Sequence, residues 1–442
     1  MGMSERIREE YKKRILTVED ALKKVKSNFE IVTALSAAEA KLFLRSLHTI
    51  KDRVDNVSVL TCLPLEQYKF YTDPEMEGHF MHETWFYTGA IRSASQSMNS
   101  FITNHLHMAG KDRLTYRKPN IFVGTATPPD KNGYMSLSLS ATYETHMLEA
   151  ADIVILEVNE KYPRTFGDTI IHISQVDHII EADYDVPEIP IPPTSDIDRQ
   201  IASHIAPFLE NGNTLQLGIG GTPNAVGSAL THLKDIGIHT EMLTAGMVDL
   251  FEAGVINGGK KTLLQGKMVC TFALGNKRLY DFIDDNPGVV INNGDWVNDP
   301  YVIGQNYKQI SINNALEVDL TGQVCSESIG PDQFSGTGGQ ADTAIGAQRS
   351  EGGKSFIALY STASVKDKAT GERTPISKIV PTLKPGAKVT LHRANVDYIV
   401  TEFGAVRLKG LSVKDRVKKL VSIAHPDFKD WLTEEAKKLR YI

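Results

Sequence analysis

Cysteine is scarce in this 442-residue chain: Cys62, Cys270 and Cys325 are far apart and odd in number. That usage argues against a disulfide framework and against a zinc site. Basic excess is absent too. The net charge is −6, whereas chains that bind nucleic-acid phosphates ordinarily carry a basic surface, so composition makes no case for a nucleic-acid partner. No stretch reaches about eighteen uninterrupted apolar residues, and the opening run "MGMSERIREEYKKRIL" is charged throughout. Neither a secretory signal nor a membrane span is expected. Low-complexity tracts are missing. What remains is 41% hydrophobic and 23% charged residues, the balance of a soluble globular protein. The expectation is a cytoplasmic enzyme of two or three domains, because the chain is too long for one ordinary core.

The first forty residues read as helix, with apolar positions at helical spacing in "VEDALKKVKSNF". Beyond them, β-rich runs such as "NIFVGTATP" and "ADIVILEVN" alternate with segments of helical period. That alternation belongs to parallel or mixed sheets covered by helices. Near the middle, "DVPEIPIPPTSDID" crowds Pro187, Pro190, Pro192 and Pro193 together. Proline neither donates to a ladder nor sits inside a helix, so residues 187–196 read as an extended linker. It separates a domain over 1–186 from a second over 197–442. Ser195 or Asp196 caps the following helix, "IDRQIASHIAPFLENG", which stops at Gly212. The halves echo one another. "VGTATPPDKNGYMSLSLS" and "NNALEVDLTGQVCSESIG" each read as strand, an Asn-Gly or Thr-Gly turn, then a second strand. The fold class is α/β: two tandem open α/β domains of similar architecture, with mainly parallel or mixed sheets and an active-site cleft between them.

Chemistry concentrates in "LQLGIGGTPNAVGSALTHLKDIGIHTEML", residues 215–243. A buried strand, "NTLQLGIGG", runs into glycines, and Pro223 opens a helix, "PNAVGSALTHL", with apolar face Ala225, Val226, Ala229, Leu230 and Leu233. A second strand, "GIHTEML", completes a βαβ unit. Loop amides beside a helix N-terminus make a ready anion site. The layout approaches the dinucleotide fingerprint: Gly218 and Gly220 fill its first two glycine positions, and Glu241 follows about twenty residues on. Pro223, however, stands where that motif needs a small residue, and no Gly-Lys-Ser/Thr follows for a phosphate loop.

On the residues alone, Glu241 has two readings. It bonds backbone amides or a ribose at a strand end; or, flanked by Ile238 and Met242 at the carboxyl end of a buried strand, it is a nucleophile in a desolvated cleft. The cluster "QFSGTGGQAD", with Gly336, Gly338 and Gly339, reads as a loop suited to an oxyanion hole or as a flexible surface loop. His105 and His107 stand two apart without a further ligand cluster, so no metal is expected. "KGLSVKDRVKKL" reads as a solvated helical face, and His425 of "IAHPDF" as part of a turn between two helices.

Together these stretches resemble the acetyl-CoA hydrolase/transferase family, which includes butyrate and 4-hydroxybutyrate CoA-transferases. "LQLGIGGTPNAVGS", "IGIHTEML", "SINNALEVDLTGQV", "QFSGTGGQAD", "VTEFG" with "LKGLS", and "IAHPDF" carry the resemblance, joined in the first half by "PPDKNGY" and "VILEVNEKYPRTFGDT". It spans nearly the whole chain, strongest after residue 200 and weakest over 35–110. It implies transfer of CoA between a short-chain acyl-CoA (butyryl-, 4-hydroxybutyryl- or acetyl-CoA) and a carboxylic acid. In that reading Glu241, on the second domain, is catalytic. Its carboxylate attacks the thioester to give an acyl-glutamyl anhydride and CoA thiolate. The thiolate returns to form a glutamyl-CoA thioester, and an acceptor carboxylate reverses both steps.

The resemblance implies coenzyme A as co-substrate, with no tightly bound cofactor. Its binding positions fall on Gln216, Leu217, Gly218, Ile219 and Gly220, on Asn314, and on Gly338 or Gly339. Relatives often carry lysine straight after "STA"; here "YSTASVKDK" has Ser364, so either Lys366, two residues on, substitutes in the CoA site or the CoA contact differs. "HETWFYTGAIRS" is assigned to the acyl pocket, where Arg92 reads either as partner of an acceptor carboxylate or as an ordinary surface arginine. The alternatives are a transferase for a dicarboxylate such as itaconate or succinate, and an acyl-CoA hydrolase. From other classes come a nicotinamide-dependent oxidoreductase and a non-catalytic acyl-CoA sensor. The expected setting is a cytoplasmic homo-oligomer acting on acyl-CoA and small carboxylic acids, without nucleic acid or membrane.

Overall fold

A computed structural model describes residues 2–92, 94, 97–218, 220–366 and 371–442. The chain divides into two compact units. The first holds Met1–Pro190, Thr240–Val248 and Lys267–Asn298; the second holds Ile191–His239, Asp249–Gly266 and Asp299–Ile442. No helix among the described residues is long and apolar enough to cross a membrane.

The first unit is built on a seven-stranded sheet whose neighbours all run parallel. Its order is His178–Glu181, Ile153–Val158, Ile121–Ala126, Glu30–Thr33, Val57–Thr61, Phe80–Thr84 and Asn99–Phe101. The three central strands are buried at every position, as a parallel sheet covered on both faces requires. Glu30–Thr33 corrects the reading of the first forty residues as helix. Helix occupies only Glu5–Arg14 and Val18–Leu22, and the chain then supplies a central strand. Its four residues are too few to show a period, and its leading Glu30 looks like surface. Glu30 is in fact fully buried, its carboxylate taken by Arg113 through bonds of 3.0 and 2.7 Å.

The second unit carries six strands in the order Gly237–Ile238, Thr214–Leu217, Gln309–Asn314, Lys354–Ala358, Tyr398–Thr401 and Gly404–Arg407. All neighbours are parallel except the last pair. In both sheets the unit's first strand lies between its second and a later one, Ile121–Ala126 in the first unit and Gln309–Asn314 in the second. The turns match in detail. The Asp130 carboxylate accepts from the amides of Asn132 and Tyr134, and the Asp319 carboxylate from those of Thr321 and Gln323, all at 2.9 Å. Gly133 and Gly322 close them at φ +95° and +94°, in the region glycine adopts most readily. The flanking strands differ, however. Glu317–Asp319 forms a hairpin with Val324–Cys325, whereas Tyr134–Ser136 pairs with Ile170–His172.

Residues 182–195 carry neither helix nor strand, and the chain first leaves one unit for the other between Pro190 and Ile191. It then returns twice, so a simple tandem division does not describe it. The segment holding Glu241 clusters with the first unit. The reason lies in "GIHTEML", which is not one strand. Gly237–Ile238 pairs with Thr214–Leu217, and Met242–Leu243 pairs instead with Phe272–Ala273 of the first unit. Two two-residue strands in different sheets look continuous in a stretch of seven residues that begins and ends apolar.

The helix after the linker opens at Asp196 with a capping box between Ser195 and Asp198, but ends at Ile205 rather than Gly212. A 3₁₀ turn containing Pro207 follows. The glycine-loop helix spans Gly221–Ala229, so it begins two residues before Pro223 and stops short of Leu233. Pro223 sits in its first turn, where a missing N–H costs no helical bond.

Candidate active site

Glu241 is partly buried between its two short strands, and its backbone is clamped. Its carbonyl accepts from the amides of Thr271 at 2.9 Å and Phe272 at 3.2 Å. The preceding residue is tied in as well: Thr240 N–H donates to the Val269 carbonyl at 3.0 Å. The carboxylate is aimed by Asn298, whose Nδ2 donates to Oε2 at 2.8 Å. Asn298 is 0% exposed and ends the helix Gly294–Val297, donating its own amide to the Gly294 carbonyl. Among the described residues its Oδ1 has no hydrogen-bond partner. The amide is therefore oriented by the carboxylate, since turning it would set oxygen against oxygen.

That helix is anchored at its first two residues. A side chain at Gly294 would lie 2.7 Å from the Thr142 carbonyl, so glycine is needed for the close approach. Asp295 takes His146 Nε2 at 3.2 Å and Lys111 Nζ at 2.9 Å. His146 and Lys111 hold the Asp295 carboxyl down at about 2, and Asp295 in turn raises His146.

The other acidic and thiol groups nearby do different work. Burial raises Glu144, whose carboxylate accepts from the amides of Leu35 and Tyr143 at 2.9 Å each. Burial, and then the charges of Glu144, Glu241 and Glu39, push the Cys62 thiol well up, which makes it inert as a nucleophile. Trp85 is buried, its ring centroid 4.6 Å from that of Tyr143. Arg92 ends the helix Gly89–Arg92 at an exposed position, and partial burial of its guanidinium lowers it. Sequence reasoning missed Asn298. "NGDWVNDP" carries no catalytic signature, and only the fold brings it to Glu241.

The positions assigned to CoA lie in the second unit. Gln216, 3% exposed, spends its side chain internally: Oε1 accepts from Ser311 at 2.8 Å and Nε2 donates to Asn313 at 3.2 Å. Leu217 is buried in the same strand. Gly218 donates its amide to the Ile312 carbonyl at 2.9 Å. Ile219 lies outside the described residues. Gly220 caps the helix at φ +123°, and a Cβ there would meet Asn314 Nδ2 at 3.2 Å. The exposed Asn314 is thus brought against the glycine loop. Its carbonyl accepts from Gln340 Nε2 at 2.7 Å, which ties it to the helix Gln340–Arg349 that Gly339 caps.

The loop bearing Gly338 is held from below by Glu327. Its backbone carbonyl accepts from the amides of Phe334 and Ser335, and its carboxylate from Thr337 and Thr390. That clamp makes the second glycine cluster a constrained loop. A cavity of about 580 Å³ opens beside Asn314, its wall including Asp198, Gly221, Thr222, Glu317, Lys378 and Lys384. Ser364 lines it; Lys366 does not, and sits exposed opposite Arg373 on the hairpin Thr362–Lys366 with Arg373–Ser377.

His105 and His107 have ring centroids 6.1 Å apart, and among the described residues no group of three or more metal-ligating side chains forms. His425 accepts from the amide of Asp427 in the turn between the helices Val413–Ser422 and Lys429–Lys438.

The comparisons with known proteins agree from end to end. The acetyl-CoA hydrolase/transferase N-terminal domain model matches residues 2–190, and the C-terminal domain model matches 275–436. The chain is 40% identical over 437 residues to succinyl-CoA:cyclohexane-1-carboxylate CoA transferase of Geobacter metallireducens, covering 98% of this chain and 97% of that one. The chain belongs to the acetyl-CoA hydrolase/transferase family. A second member, 4-hydroxybutyrate coenzyme A transferase of Clostridium kluyveri, is also 40% identical, over 97% of this chain and 98% of its own. Among solved structures of the family's fold, RipA from Yersinia pestis superposes with a TM-score of 0.88 at 34% identity, over 99% of this chain and 100% of that one.

Proposed function

We propose that this enzyme moves CoA between a short-chain acyl-CoA and a carboxylic acid, by a ping-pong route through a glutamyl-CoA thioester on Glu241. The full-length relatives are named CoA transferases, so the chain is placed among the CoA-transferases as a class. The observation that carries the finer reading is the Glu241 carboxylate, partly exposed, clamped through its backbone and aimed by Asn298 at 2.8 Å. Such a group needs no general base. Carboxylates are ionised at neutral pH, and a thiolate with pKa near ~8.5 leaves readily.

The first attack forms the acyl–oxygen bond and breaks the thioester C–S bond. CoA thiolate then attacks the glutamyl carbonyl of the anhydride and releases the first acid. An acceptor carboxylate reverses the sequence. Gln216, Leu217, Gly218, Ile219, Gly220, Asn314, Gly338 and Gly339 bind CoA in this reading. Gln216 does so through its main chain, because its side chain is engaged elsewhere. The donor is butyryl-, 4-hydroxybutyryl- or acetyl-CoA, in a cytoplasmic homo-oligomer. Family membership sets aside the nicotinamide reading, as Pro223 had suggested. The test is initial-rate kinetics with butyryl-CoA and acetate. Parallel double-reciprocal lines support the route, and convergent lines contradict it. CoA release at full rate without any acid would make the enzyme a hydrolase.

A further inference from the structure

Both ends of the Glu241–Asn298 hydrogen bond lead back to one short stretch of chain, residues 139–146. On the Glu241 side, the amides of Thr271 and Phe272 hold the Glu241 carbonyl. Those two residues are held in turn. Ala141 N–H donates to the Thr271 carbonyl at 3.0 Å, and Ser140 forms an antiparallel bridge with Phe272. Ala273 N–H donates to the Leu139 carbonyl at 2.8 Å, and Thr271 Oγ1 to Thr142 Oγ1 at 3.3 Å. On the Asn298 side, Gly294 N–H donates to the Thr142 carbonyl at 3.0 Å, and Thr145 Oγ1 donates to Asn293 Oδ1. His146 then takes the Asp295 carboxylate, which Lys111 holds as well. Every one of these residues belongs to the first unit.

The stretch is itself fixed in the core. Ser140, Ala141 and Thr142 are buried, and Tyr143 OH donates to the carbonyl of Thr33 at 3.0 Å, in the central strand. The buried Glu144 carboxylate adds the amides of Leu35 and Tyr143. Two arms of one base thus carry the nucleophilic carboxylate and the amide that faces it. The second arm has a weak point. Its helix, Gly294–Val297, has only four residues, and a single turn takes its direction from tertiary contacts more than from its own bonds. Those contacts are at Asn293, Gly294 and Asp295, and Asn298 follows directly on the helix. The Asp295 and His146 side chains are 21% and 24% exposed, so their ion pair is less screened than a surface one.

We propose that residues 139–146 are the frame that sets the geometry between Glu241 and Asn298, and that Asp295, gripped by His146 and Lys111, is a positioning residue for attack on the thioester. The inference rests on Glu241 being the nucleophile, as above. Asp295 bonds to no reacting atom and acts through Asn298. A carboxylate aimed less well loses rate in the chemical step rather than affinity for CoA. The competing role for Asp295 is stability alone, as an acid in the first turn of a helix.

The experiment measures kcat for CoA transfer from butyryl-CoA to acetate, and the Kd of free CoA by calorimetry, on the full-length protein. The variants are Asp295→Asn, Lys111→Met and Asn298→Ala, with each of the first two also combined with the third. Thermal melts set the assay temperature below every transition. Asp295→Asn keeps the volume but removes the charge that both cations hold. It is expected to lower kcat about tenfold and to leave the Kd of CoA within about twofold. Lys111→Met, at a half-exposed position, should lower kcat about two- to threefold and carries the test if Asp295→Asn fails to fold. In the Asn298→Ala background either substitution should cost less than about twofold, because the amide it aims is gone. A lower Tm with unchanged kcat, or the same loss with and without Asn298, would overturn the inference while leaving Glu241 as the nucleophile. Full activity in Glu241→Ala would overturn both.

Discussion

Removing the amide of Asn298 should slow the enzyme without unfolding it. Its Nδ2 donates to the Glu241 carboxylate at 2.8 Å from a fully buried position. A hydrogen bond to a charged group contributes about 1.5–3 kcal/mol. At about 1.4 kcal/mol per factor of ten, Asn298→Ala is expected to lower kcat/KM about 10- to 150-fold. Stability should fall less, by about 1 kcal/mol, because alanine also removes the Oδ1 that is buried without a partner among the described residues. Asn298→Asp is the sharper variant. It keeps the volume but sets a like charge roughly 4 Å from Glu241, worth about 4 kcal/mol at an effective dielectric of about 20, or near a thousandfold. The assay is CoA transfer from butyryl-CoA to acetate, with thermal melts as the control for folding. Rates should rank wild type, Ala, Asp. A folded Asn298→Ala that is as fast as wild type, or faster, would show that the bond merely damps the nucleophile and would refute its role in aiming it.

Three further outcomes follow from other parts of the molecule. In Gly221→Ala the new Cβ would lie 2.4 Å from Asp198 Oδ2, which is itself bonded to Ser195, so a loss of about 1–3 kcal/mol and a higher KM for CoA are expected; an unchanged Tm and KM would contradict this. Burial raises Glu157 to about 7 even though Tyr184 and the Phe43 amide donate to it. An acid raised on folding costs stability as pH climbs from its unfolded value of 4.5 through 7. Glu157→Gln should therefore raise Tm at pH 8 and leave it nearly unchanged at pH 5, and an equal shift at both would be inconsistent. His146 is raised by Asp295, so its contribution is full below 6.5 and fades as pH rises through its folded value. His146→Gln should accordingly lower Tm at pH 6 but not at pH 9, by differential scanning calorimetry.

The legible parts of the fold were those where one element fills one stretch of sequence. Ile121–Ala126 and Ile153–Val158 are long apolar runs and lie where the pattern put them. The duplicated turn could be read because Asp130 and Gly133, like Asp319 and Gly322, do their work within four residues. Glu30–Thr33 was hidden because its charge is neutralised by Arg113, 83 residues away. Glu241 stood out through flanking residues that resemble a family, yet its placement in the first unit could not be read. Met242–Leu243 finds its partner strand at Phe272–Ala273, and nothing local announces that pairing. Asn298 escaped for the same reason: it is an ordinary residue in its own segment, and only the fold brings it to the Glu241 carboxylate.

The most direct test of the account is mass spectrometry of the intact protein and its peptides after brief incubation with butyryl-CoA and no acceptor acid. A CoA-sized adduct is expected on the peptide carrying Glu241, absent from Glu241→Ala. Absence of any adduct or acyl loss, under conditions where CoA demonstrably binds, would contradict Glu241 as the nucleophile.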